Sequence, residues 1–316
     1  MRFYVGVTDT EWYRFLSTHK TEDVNFWQPG GARQFGAVEK GAPFLFRLKS
    51  PHNAIGGLGF FSAAAIQPLA AAWEFFGIAN GHSSYAEFRR VISAYKQKAG
   101  KTDLGALEIG CVILSDPIFF DEADWIREVP AWSPSIVQGK GYDDTEPSGA
   151  WLWDQVRLRL LKYRFYERVE DKPSALSLEN PEERYRETVA RVRVGQGAFR
   201  LLVANAYDRA CAITGEHTLP VLEAAHIKPY AESGPHLVSN GLLLRSDLHK
   251  LYDSGYLTVM PELRVEVSPR IKEEFNNGKI YYAMHGQNLA ALPRRFSELP
   301  DPAYLSWHNV NVFKAG

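Results

Sequence analysis

Apolar positions in the first half of the chain fall into short, dense stretches broken by Gly, Pro and Asn. Phe3–Val7, Phe44–Lys49, Ile55–Phe61 and Ile109–Phe120 are rich in Phe, Val, Ile and Leu, which predicts strands. Asp9–Ser17 and Ser84–Lys98 carry the wider spacing of a helix, the second opening on Ser83 and Ser84 as caps. Several short strands with two or three helices predict an α+β unit built on a small, strongly curved sheet or open barrel. Trp151–Val169 then reads as one helix, with Arg recurring among apolar positions.

After that helix the pattern stops. Glu170–Pro181 is polar, holds Pro173 and Pro181 and shows neither a helical nor a strand period, so a linker is expected over 169–181. It separates a unit at 1–168 from one at 182–316. From Glu182 a helical pattern resumes, with Arg184, Arg186, Arg191, Arg193 and Arg200 crowded together.

Composition narrows the class without naming an activity. The 316 residues are 45% apolar and 23% charged, which describes a globular protein and excludes a disordered or fibrous one. The longest apolar run, Phe60–Phe76, is broken by Gln67, Pro68 and Glu74, short of the about 20 apolar residues that a membrane helix needs. Met1–Val7 reads as a strand and not as a signal peptide. Cys111 and Cys211 are the only cysteines, so no disulfide framework is expected and a reducing cytoplasm fits. A net charge of −1 is silent on nucleic acid, because binding patches are local.

The chemistry concentrates between Cys211 and Leu257. Four words stand out: Cys211–Gly215, Leu222–Pro229, Ser239–Leu244 and Ser246–Gly255. Their pattern predicts strand, turn, strand, irregular loop, short strand and a short helix closed by Gly255. His226 falls at a strand end ahead of a Pro-broken loop. His249 and Asp253 lie one turn apart on the predicted helix, an arrangement that lets two side chains share one cation.

The order His226, Asn240, His249, with its spacing and flanking words, resembles the HNH (ββα-metal) nuclease motif. Val192–Arg200 upstream and Leu305–His308 downstream resemble the branch found in bacterial restriction-like HNH proteins. The resemblance implies metal-dependent phosphodiester hydrolysis. His226 would be the general base, since imidazole titrates near neutral pH. Asn240 would fix the backbone around it. His249, with Asp253 as a further ligand, would hold a divalent cation, Mg²⁺ first and Mn²⁺ as a substitute. Many HNH enzymes carry Asp or His immediately before the base as a ligand; here that position is Ala225. Either the metal has fewer protein ligands, or Glu223 or Asp253 takes that role. Thr214 stands where a second cysteine of a zinc knuckle would fall after Cys211, so no structural zinc is expected. The remaining histidines, His236 among them, read as ordinary structural residues, with His308 beside Trp307 the one to watch.

The N-terminal text is similar to the PUA superfamily, nearest its EVE-like branch, in Tyr4–Trp12, Val24–Pro29, Pro43–Leu48, Ile55–Phe61 and Leu114–Phe120 with Trp125. That resemblance implies a reader of modified bases in nucleic acid. A flipped base needs aromatic faces and polar edge contacts, and a cytosine methyl needs apolar contact. Asn25, Trp27, Trp73 and Phe76 are the candidate pocket, although Phe and Trp in such a unit mostly fill its core. Arg47, Lys49, Arg89 and Arg90 are candidates for phosphates. Together the two resemblances imply a modification-dependent, type IV-like restriction endonuclease. Its partner would be double-stranded DNA carrying a modified cytosine, 5-methylcytosine first. Cutting both strands would take a homodimer or two binding events. The rival readings are a non-cleaving reader with a degenerate HNH domain, kept open by Ala225, and an RNA-binding N-terminal unit.

Overall fold

The computed structural model describes residues 1–30, 34–98, 100, 107–171 and 196–315. It mixes helix and strand throughout and divides into two compact units, Met1–Gly195 and Gln196–Gly316. From residue 172 onward the expected linker lies outside the described residues, as do Arg184, Arg186, Arg191 and Arg193. Residues 169–171, expected to open that linker, instead end a helix.

The first unit is a six-stranded sheet made from β1 (Arg2–Thr8), β2 (Asp23–Gln28), β3 (Pro43–Leu48), β4 (Ile55–Pro68), β5 (Glu108–Phe119) and β6 (Gly139–Asp143). Its order is β2-β5-β4-β3-β1-β6; β1 and β3 are parallel and the other neighbours antiparallel. The sheet stays open, with β2 and β6 as its edges. Alternation along β1 splits its side chains between two apolar layers. Phe3 and Val5 join Leu45, Ile55, Phe60 and Tyr142 in a core closed by Leu152, Trp153, Val156 and Leu160 of α4 (Pro147–Asp171). Gly6, on the other face, leaves room for Phe44, whose ring would sit 2.5 Å from an added Cβ. Around it Trp12 of α1 (Thr10–Ser17) packs edge-on to Phe26 and Phe46. Asp9 caps α1 by accepting from the Glu11 and Trp12 backbone N–H groups.

β4 is longer than its expected end at Phe61 and carries two register shifts against β5, which bend the strand. It is buried without a break from Ile55 to Ala63, as in a strand covered on both faces. Beyond it lie α2 (Leu69–Phe76) and α3 (Tyr85–Lys98). Among the described residues no helix is long and apolar enough to cross a membrane.

The second unit opens with α5 (Gln196–Ala206), which buries Phe199, Leu201 and Val203. β7 (Leu222–His226) and β8 (Gly241–Arg245) pair antiparallel, and α6 (Ser246–Asp253) follows at once. The word at Cys211, expected to be a strand, is a tight turn. The Gly215 N–H returns to the Cys211 carbonyl, Gly215 sits at φ 71°, and the Cys211 N–H reaches the Glu216 carbonyl. Gly255 ends α6 as expected: the Tyr256 N–H reaches back to the Leu251 carbonyl and φ at Gly255 is 76°. A Cβ there would lie 2.1 Å from the Val312 carbonyl oxygen. A second hairpin, β9 (Leu257–Val259) with β10 (Val265–Val267), leads to α7 (Arg270–Phe275), α8 (Lys279–Tyr282) and α9 (Pro302–Asn311).

Candidate active site

The β7–β8 hairpin and α6 set the functional side chains. Register pairs His226 with Gly241, so the loop between the strands leaves from His226 and returns through Asn240. Asn240 is fully buried and spends its side chain on that loop. Its Oδ1 accepts from the Lys228 N–H at 2.9 Å, and its Nδ2 donates to the Lys228 and Pro235 carbonyls, each at 2.9 Å. Its own carbonyl accepts from the Ile227 N–H. Both edges of the amide are thus used to hold the backbone just beyond His226.

The His226 ring lies flat on Phe199 of α5, with centroids 3.9 Å apart and 12° between planes. Its Nε2 is 2.8 Å from His236 Nδ1. Burial against Phe199, then the nearby His236 and His249, pushes its pKa down to about 4. At neutral pH the ring is therefore uncharged and carries a lone pair. Ala225, the position before it, is fully buried and pairs with Leu242.

On α6, His249 stands between two carboxylates. Its Nδ1 is 2.6 Å from Glu223 Oε2 of β7, and its Nε2 is 3.3 Å from Asp253 Oδ2 one turn on. Loss of solvent raises the Asp253 pKa, the His249 charge opposes this, and the Glu223 charge adds to it. Two carboxylates beside one imidazole make a mixed oxygen and nitrogen donor set for a divalent cation. Among the described residues no group of three or more His, Cys, Asp or Glu side chains is arranged to hold a metal. His249 Nε2 and Asp253 Oδ2, 3.3 Å apart, are the two donors that would hold a divalent cation here. Glu223 sits on the opposite ring nitrogen, where a carboxylate fixes tautomer and orientation.

His308 is a core residue of the second unit. It is 2% exposed, stacks on Tyr252 at 3.7 Å and bonds Thr258 Oγ1 and the Tyr252 carbonyl. Burial lowers its pKa to about 4.

In the first unit two of the candidate base-binding residues, Trp27 and Trp73, lie against α3. Trp27 packs against Phe88 and Tyr95, and Trp73 against Phe88 and Tyr85. Asn25 is fully buried, donating to Asn80 Oδ1 at 2.9 Å and to Cys111 Sγ at 3.4 Å. Phe76 is buried beside Phe75, and Trp73 alone of the four keeps partial exposure. Asn25 Oδ1 and His82 Nε2 are buried with no hydrogen-bond partner among the described residues. Of the cations, Lys49 is held by Asp9 and Tyr95, and Arg47 lies over Trp132.

A hairpin followed directly by a helix, with His226 at the strand end, Asn240 clamping the loop and His249 on the helix, has the ββα order expected from the sequence. Residues 211–260 match the family described as HNH endonuclease. The HNH domain expected from the motif is thus present in that segment. No curated protein matches the chain. Among solved structures, the ASCH protein of Zymomonas mobilis is similar at 14% identity with a TM-score of 0.30, over 46% of this chain and 92% of that one. The modification-dependent TagI restriction endonuclease is similar at 13% identity with a TM-score of 0.29, over 98% of this chain and 82% of that one.

Proposed function

We propose that the chain is a modification-dependent DNA endonuclease. The observation that carries the nuclease half is the presence, within the HNH segment, of His226 stacked on Phe199 at a strand end and of the His249–Asp253 edge on α6. His226 Nδ1 makes no hydrogen bond to a described residue, so its lone pair serves as the base that takes a proton from the attacking water. As the water oxygen bonds to phosphorus, the bond from phosphorus to the leaving sugar oxygen breaks. His249 Nε2 and Asp253 would hold a divalent cation, Mg²⁺ or Mn²⁺, which when bound stabilises charge on the scissile phosphate and the leaving oxygen. Glu223 accepts from His249 Nδ1–H and keeps Nε2 turned to Asp253. Asn240 keeps the loop beyond His226 in place.

The sensing half is the proposal that the first unit reads a modified cytosine, 5-methylcytosine first. Its support is a pair of buried polar atoms near Trp27, Asn25 Oδ1 and His82 Nε2, that have no hydrogen-bond partner among the described residues. A base entering there would supply their partners, and Trp73 offers the partly open aromatic face. Cutting both strands with one such site requires a homodimer or two successive visits. The test is digestion, with Mg²⁺, of duplexes differing only in cytosine modification. Cleavage confined to the modified duplex is expected. Equal cutting of both would remove the sensing half, and binding of modified duplex with no cutting would make the chain a non-cleaving reader.

A further inference from the structure

His236, on the loop between β7 and β8, lies within hydrogen-bond distance of the base and had no role in the sequence pattern. We infer that His236 is a positioning residue that holds His226 in the tautomer with its proton on Nε2 and its lone pair on Nδ1. The inference rests on the reading of His226 as the base.

The contact between the two rings, 2.8 Å from His226 Nε2 to His236 Nδ1, needs one proton between two nitrogens. If His226 Nε2–H donates, His226 Nδ1 is left as the acceptor that removes a proton from water. If His236 Nδ1–H donates instead, His226 must carry its own proton on Nδ1 and cannot act as a base. Only the first arrangement is productive, and it has a second effect. When His226 takes the proton it becomes an imidazolium, and its Nε2–H already points at a lone pair on His236, which stabilises the new charge. The two rings stand edge to face, 4.9 Å apart at 65°, so this hydrogen bond lies toward the plane of one ring. Phe199 holds both, stacked on His226 and tilted against His236 at 5.6 Å. The Asn240 clamp on the Pro235 carbonyl fixes the residue next to His236, so the same asparagine places base and partner together. Among the described residues, the titratable groups acting on His226 are His236 from the loop and His249 from α6, while α5 presents Phe199.

Imidazole ¹⁵N–¹H correlation spectra of the full chain read the tautomer without any cleavage assay. His226 is expected to show a protonated Nε2 and a bare Nδ1 at pH 7.5. A protonated Nδ1 in the wild-type chain would overturn the inference. In His236→Leu, which keeps bulk but offers no acceptor, the His226 signal should move toward a mixture of tautomers. Single-turnover cleavage should fall on the order of 10- to 100-fold with DNA affinity unchanged, the usual cost of losing a residue that orients a functional one. His236→Asn, whose Oδ1 can stand where Nδ1 stood, should recover most of the rate. A His236→Leu chain with wild-type rate and an unchanged His226 tautomer would refute the role of His236 alone. Full cleavage by His226→Ala would instead remove the reading of His226 as the base.

Discussion

Replacing Asn240 with alanine should cost the second unit about 3 kcal/mol. The side chain makes three hydrogen bonds, all at 2.9 Å, to the Lys228 N–H and to the Lys228 and Pro235 carbonyls, from a fully buried position. A net hydrogen bond is worth about 0.5–1.5 kcal/mol, and a buried group left unpaired costs about 1–3 kcal/mol. Three bonds lost at the middle of the first range give about 3 kcal/mol, and water entering the vacated space would keep the sum from reaching the top of the second. Asn240→Asp sharpens the test. It preserves size and the acceptor for Lys228 N–H, but turns an oxygen toward two carbonyls that had received an N–H. Its loss should equal or exceed that of alanine at neutral pH and shrink in acid, where a protonated carboxyl can donate again. Urea denaturation of the second unit measures both, and proteolysis of the 227–239 loop reports whether the loop is released. An Asn240→Asp chain as stable as wild type at pH 7.5 would refute the geometry of the clamp.

Three further outcomes follow from particular contacts. Glu223→Gln should lower Mg²⁺ affinity by roughly 10- to 100-fold in a direct binding titration, since the amide orients His249 less firmly than a carboxylate; unchanged affinity would show that Glu223 does not act through His249. His308 is held uncharged in the fold to about pH 4, whereas an unfolded histidine titrates near pH 6.5. Its stabilisation is therefore complete above about pH 6.5 and lost as pH falls toward 4. Between pH 7.5 and 5 it should account for about 2 kcal/mol in denaturation curves, with half-buried His226 adding less in the same window; a flat profile would contradict this. Gly255→Ala should destabilise the second unit by at least about 2 kcal/mol, because it forces a side chain into left-handed backbone and against the Val312 carbonyl; a change under half that size would show that the turn yields.

The order His226, Asn240, His249 was readable because strand, loop and helix here are consecutive, so a short stretch of sequence carries the whole motif. What sequence could not carry was the pairing of side chains across it. Glu223 meets His249 because α6 packs over β7, and His236 meets His226 because Asn240 folds the loop back. Neither pair has a diagnostic spacing. A hint existed for Glu223, a lone acid in the otherwise apolar run from Val221 to Ile227 but for His226, and none existed for His236. In the first unit, β2 went unread because Asp23 and Asn25 look like surface residues, whereas Asn25 is buried against Asn80 and Cys111. Alternation also failed along β4, where two register shifts and burial on both faces erase the period of two. Trp27 and Phe76 illustrate the general difficulty: an aromatic ring that fills a core and one that lines a pocket are spelled alike.

In the proposed reaction His226 is the residue on which cleavage depends most directly. Single-turnover cleavage of one susceptible duplex at saturating Mg²⁺ compares His226→Ala with the wild-type chain, alongside DNA and Mg²⁺ binding for each. Loss of a positioned base predicts a rate lower by roughly 10²- to 10⁴-fold with both affinities retained. Cleavage by His226→Ala at the wild-type rate would contradict the central claim.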